Sequence, residues 1–126
     1  MSKLLRWIPA LIMMMIIFIS SATASANLPN YGLWDTLVKK GGHMLGYGLL
    51  SFCYWYAFNF DEKKRWPNLF LTLLYAASDE IHQSFTPGRH PSPVDVLFFD
   101  GGGAVLSLYI TARVLKWKNQ KPSKQI

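Results

Sequence analysis

From Trp7 to Trp34 the chain carries no Asp, Glu, Lys or Arg, and from Gly41 to Phe60 it runs another 20 residues without a formal charge. Two such stretches in 126 residues constrain the fold more than any other feature. A small domain has a large surface relative to its core and cannot hide that much uncharged chain from water. Only 16% of the residues are charged and 51% are hydrophobic, whereas ordinary soluble domains are about 25% charged. This balance argues against a soluble enzyme, a disordered tail and a disulfide scaffold. The single cysteine, Cys53, lies in an apolar run, reads as a small buried hydrophobe and has no partner for an internal disulfide. Mean hydropathy is only mildly positive, so polar and apolar residues must be segregated.

The segregation predicts an all-α integral membrane bundle of four transmembrane helices, at about 7–23, 37–59, 67–85 and 94–115. They form one domain, 1–115, followed by a basic tail, 116–126. The first segment has two readings. It is a short retained span, or a cleaved signal with Lys3 and Arg6 before an apolar stretch and Ala24-Ser25-Ala26 as the cleavage pattern. Tyr47, Tyr54, Trp55 and Tyr56 of the second segment include aromatics suited to a membrane interface. Pro67 suits the first turn of the third. Thr86 to Pro93, with three prolines and a glycine, breaks the chain before the fourth.

The charges orient the bundle. With both termini cytoplasmic, ten of the thirteen basic residues fall on the cytoplasmic side, which is the positive-inside bias of a multi-pass protein of the cell membrane. The net charge of +6 then needs no nucleic acid, and no nucleic-acid motif is present.

Charged groups inside spans cost roughly 2.5–3.5 kcal/mol at the bilayer centre, and this chain places several near span ends. Lys39, Lys40 and His43 open the second segment. Asp79, Glu80, His82 and Gln83 close the third, Arg89 and His90 lie in the loop, and Asp95 and Asp100 open the fourth. All gather at the outer end, and the cytoplasmic halves read as apolar. Asp79, His82 and Gln83 share a helical face, with Glu80 about 100° away. Lys40 or Arg89 facing Glu80 or Asp95 would neutralise the cluster. A converging set of this size points to an outward polar pocket for a lipid head group or an envelope precursor. No HExxH spacing supports a metal, no cofactor is implied, and Ser78 and Ser84 sit in no nucleophile motif. Gly101–Gly103 reads as close helix packing before it reads as a phosphate cradle.

Three motifs, Lys40-x-x-His43-x-x-x-Tyr47, Ser78-Asp79-Glu80-x-His82-Gln83-x-Phe85-x-Pro87-Gly88-Arg89 and Ser92-x-x-Asp95, are followed by a glycine-containing final segment. Together, over about Trp7 to Leu115, they resemble the VanZ-like family. The resemblance implies a small helical membrane domain whose first helix is retained, and a link to susceptibility to the glycopeptide antibiotic teicoplanin. By motif position it implies a polar set of Lys40, His43, Asp79, Glu80, His82, Gln83, Arg89 and Asp95. One departure stands out. The turn position after Asp95 that the family fills with Asn or Asp is Phe99 here, and Asp100 and Gly103 follow one residue late. The leading expectation is head-group binding at the outer face. The alternatives are an intramembrane enzyme with His82 or Glu80 as base, and an accessory membrane subunit.

Overall fold

The computed structural model describes residues 2–22, 33–85, 94 and 96–120, and for 21, 22, 33–40 and 96 the backbone alone. Among the described residues the regular structure is all helical. A 3-10 turn, Leu5–Trp7, leads into α1, Ile8–Ala22. Helix α2 is Leu33–Ala57. A second 3-10 turn, Glu62–Lys64, precedes α3, Arg65–Gln83. A π-helical turn, Val96–Asp100, runs into α4, Gly101–Gln120. The tail expected from residue 116 is therefore helical as far as Gln120.

Among the described residues no helix is long and apolar enough to cross a membrane. Helix α1 is uncharged, but its 15 residues rise only about 22 Å, against a hydrocarbon core near 30 Å. The others are longer but diluted. Helix α2 holds four glycines and His43, α3 holds Arg65, Asp79 and Glu80, and α4 holds Arg113, Lys116 and Lys118. The expectation of four helices holds. The expectation that each is a span by its own length and apolarity does not.

Helix α2 packs against the other three. Arg6 donates from Nε and Nη2 to the Tyr56 carbonyl at 3.1 and 2.8 Å, and Trp7 meets Phe58 edge-on with centroids 5.2 Å apart. The start of α1 therefore lies beside the end of α2. Ser51 contacts Asn68, Tyr47 contacts Asp79, and His43 faces Asp100. So α3 runs antiparallel to α2, and α4 runs parallel to it.

The α2–α3 turn is tight because Asn59 and Phe60 both adopt left-handed backbone, with φ 58° and 55°. A bulky residue pays on the order of 1–3 kcal/mol for that conformation. Phe60 is held there by its N–H bond to the Trp55 carbonyl, 2.8 Å, and by rings of Phe52, Trp55 and Tyr56. Asp61 then caps the 3-10 turn, accepting from the Lys63 N–H at 3.0 Å.

Close approach of α2 and α4 depends on glycine. A Cβ on Gly48 would sit 3.2 Å from the Gly103 carbonyl oxygen, and one on Gly103 would run into the backbone of Met44. Within the glycine run, the expected packing role is seen at Gly103.

The core is built on Tyr47, Leu50, Tyr54, Ala76 and other apolar side chains, but on α3 the pattern of a water-soluble helix is inverted. The buried residues of α3 are Asn68, Thr72, Ala76, Asp79 and Gln83, all but one polar. Phe70, Leu74 and Ile81 of the same helix are exposed. On α1, Leu11, Ile12, Met15, Ile16 and Ile19 are likewise exposed, with Ala10 and Ile17 buried.

One buried cluster was not legible from apolar patterning. Toward the basic end, Ser51 Oγ donates to Asn68 Oδ1 at 3.2 Å, and Asn68 Nδ2 donates back to the Ser51 carbonyl at 2.9 Å. Thr72 Oγ1 donates to the Asn68 carbonyl at 3.0 Å. All three residues are fully buried. The reading of that half as apolar is corrected: a neutral side chain that satisfies its neighbours can be buried without the cost of an unpaired polar group.

Candidate functional site

At the opposite end, three helices bring polar side chains together. Asp79 and Gln83 lie one turn apart on the buried face of α3, and Gln83 Nε2 donates to Asp79 Oδ2 at 3.2 Å. From α2, the Tyr47 hydroxyl donates to the same oxygen at 2.9 Å. Two donors on one oxygen fix the carboxylate against α2.

One turn earlier on α2, the His43 ring lies nearly parallel to that of Tyr47, 15° between planes and 6.1 Å between centroids. Its Nδ1 is 3.6 Å from Asp100 Oδ1, an ion-pair distance longer than a hydrogen bond. The Asp100 side chain is 5% exposed, whereas that of His43 is 30% exposed. The result is a continuous chain of groups, Gln83–Asp79–Tyr47–His43–Asp100, crossing from α3 through α2 to α4. It is sealed at Asp79 and Asp100 and reaches the surface at His43.

The π turn explains how Asp100 comes to be there. A π turn carries one more residue than an α turn, so it shifts everything after it by one position on the helix face. The one-residue delay of Asp100 and Gly103 in the sequence is the offset such a turn absorbs. Asp100 points at His43, and Gly103 recovers its contact with Met44.

The expected site residues separate into groups. His43, Asp79 and Gln83 come together as described. His82 does not join Asp79. Its ring stacks on Phe18 of α1, 4.3 Å between centroids and 19° between planes. Its buried Nδ1 has no hydrogen-bond partner among the described residues. Glu80 is half-buried and lies off the Asp79 face. Arg89 and Asp95 lie outside the described residues, and of Lys40 only the backbone is described. The pairing expected between Lys40 or Arg89 and Glu80 or Asp95 therefore falls outside the described side chains.

Two members of the network were not in the expected set. Tyr47 had been read as an interface aromatic, but it is 1% exposed. Its spacing of one turn from His43 was the available signal. Asp100 stands outside the polar set that the family resemblance implies, one residue late, and the π turn ending at it leaves it facing His43.

The hydroxyls of Ser78 and Ser84 are both engaged by backbone carbonyls. Ser78 Oγ donates to the Tyr75 carbonyl at 2.8 Å, and Ser84 Oγ donates to that of Ile81. Cys53 is half-buried and lies ten residues beyond His43, about 15 Å along α2. Among the described residues no three His, Cys, Asp or Glu side chains are placed to hold a metal ion.

A family model described as VanZ/LLP1 matches residues 6–116. The chain belongs to the VanZ/LLP1 family. The match takes in all four helices nearly whole and every residue of the network. No curated protein and no solved structure matches the chain.

Proposed function

We propose that this VanZ/LLP1 protein is embedded in the cell membrane and binds the head group of an envelope lipid at its polar end. The observation that carries the reading is an apolar coat over the helices, with a mostly polar buried face on α3. Large apolar side chains cover the outside, with Ile19 62%, Leu45 66%, Phe70 65% and Leu97 64% exposed, while Asp79, Gln83 and Asp100 are buried. In water each exposed Leu, Ile or Phe forgoes roughly 1.5–3 kcal/mol of burial. In lipid the same coat faces its preferred solvent. Helices that are individually too short or too polar are then carried by the bundle, since buried polar groups find partners within it.

Lys3, Arg6, Lys63, Lys64, Arg65, Arg113, Lys116 and Lys118 sit at the end opposite the network. By the positive-inside rule that end is cytoplasmic and the network faces outward. There the part-exposed His43, paired with Asp100 and stacked on the Tyr47 that Asp79 holds, meets the head group of an envelope lipid. A change in access to that lipid would alter teicoplanin susceptibility. Retention of the first helix fits, because Ala10 and Ile17 sit in the core and the Tyr75 hydroxyl donates to the Met14 carbonyl.

Two measurements test the reading. Alkaline extraction of membranes should leave the protein in the pellet, and release into the supernatant would remove the membrane reading. Expression should shift teicoplanin susceptibility, and Asp79→Asn should abolish the shift at equal protein level. Full activity of that variant would dismiss the site. The His43–Asp100 contact favours a second reading, an intramembrane enzyme with His43, in place of the expected His82 or Glu80, as base. Product release from a purified lipid substrate would distinguish it from binding.

A further inference from the structure

A lateral groove of about 710 Å³ lies along the seam of α3 and α4. Phe98, Gly102, Val105 and Tyr109 line one side at spacings of four, three and four residues, a single helical stripe. Leu73 forms part of the other side, and Met44 of α2 closes the floor.

Its upper end adjoins the polar network. Met44 follows His43 in sequence, and Gly101, also in the lining, follows Asp100. From Phe98 to Tyr109 the groove runs about 16 Å at 1.5 Å per residue, close to half of a hydrocarbon core of about 30 Å. An apolar channel one leaflet long, starting beside a polar pair, matches the shape of a lipid.

We propose that this groove seats one acyl chain of a membrane lipid whose head group lies against His43, which buried Asp100 backs. The inference rests on the head-group reading above and adds where the chain lies. Neighbouring glycines then have opposite roles. A Cβ on Gly103 collides with the Met44 backbone, so Gly103 serves helix packing. A Cβ on Gly102 meets only the Met44 methyl at 3.9 Å, an ordinary contact. The space over Gly102 belongs to the occupant of the groove.

The test uses the full chain reconstituted in vesicles of dioleoyl phosphatidylethanolamine and dioleoyl phosphatidylglycerol. It is then extracted in mild detergent and weighed by native mass spectrometry. The wild type should keep one diacyl lipid, which also reveals which head group is preferred. Gly102→Leu fills the groove and should reduce the retained lipid at least tenfold, whereas Gly102→Ala should keep most of it. Val105→Trp, at a side chain 52% exposed, fills the groove from its wall and covers the case in which Gly102→Leu fails to fold. Wild-type retention by either folded, groove-filled variant overturns the proposal. Asp100→Asn separates the two readings. Loss there with full retention in the groove variants overturns the groove and leaves the head-group site standing. Loss in the groove variants with full retention in Asp100→Asn keeps the groove and removes the head-group site. A protein that occupies the wild type and is expelled by Gly102→Leu overturns the acyl chain as occupant.

Discussion

Helices α2 and α3 meet through two buried polar clusters built on opposite principles. The Ser51–Asn68–Thr72 knot is neutral, fully buried and closed on itself by reciprocal hydrogen bonds. The Asp79–Tyr47–Gln83 network carries a carboxylate, continues through stacked rings to a second one at Asp100, and opens at His43. A neutral closed cluster holds two helices in register and leaves nothing for a ligand. A charged cluster with one exposed member retains capacity for an outside partner. Burial alone does not separate the two; charge and an open end do.

The comparison can be broken most directly at the knot. Asn68→Leu strips the Ser51 hydroxyl and carbonyl of their side-chain partner in a fully buried site, while Thr72 keeps the Asn68 backbone carbonyl. It should cost about 2–4 kcal/mol, read as a lower thermal unfolding midpoint in detergent. At permissive temperature lipid retention should be unchanged, and a selective loss of lipid binding would show the knot to be part of the site. Asp79→Asn should do the reverse. It keeps an acceptor for Tyr47 and Gln83, so stability should fall by no more than about 1 kcal/mol, while the susceptibility shift is lost. A large unfolding effect with activity intact would make Asp79 structural glue like Asn68.

Tyr47→Phe sharpens the contrast. It deletes one hydrogen bond to a charged acceptor and keeps the ring against His43. About 1–2 kcal/mol of stability should go, with a partial loss of lipid retention. The smallest effect should come from Ser51→Ala. The Asn68 amide still reaches the Ser51 carbonyl, so about 0.5–1 kcal/mol is expected and no change in function. Thermal midpoints paired with lipid retention measure both.

Much of the fold was legible because helices announce themselves locally. Uncharged stretches, the Pro67 start and the proline-rich break before the last segment place four helices in order. Boundaries shifted where a helix continues past the apolar run with its side chains exposed, as at residues 116–120 of α4. The knot was hidden because Ser51, Asn68 and Thr72 are each unremarkable in sequence; their meaning arises only when they face one another. His82 was assigned to the Asp79 face by spacing, yet it lies at that face's edge, where Phe18 of α1 takes its ring.

An all-helical VanZ/LLP1 chain, with ten of its thirteen basic residues at one end and a set of ionisable residues at the other, follows from the sequence alone. Those properties depend on composition, on order and on a helical period of 3.6 residues. Which polar groups meet is set by how the helices pack. A period tells which way a side chain points from its own axis but not which neighbour stands there, and a π turn changes even the period. That turn brings Asp100 to His43 and Gly103 to Met44. The same packing brings Tyr47 to Asp79, through three helices whose mutual rotation no single segment encodes.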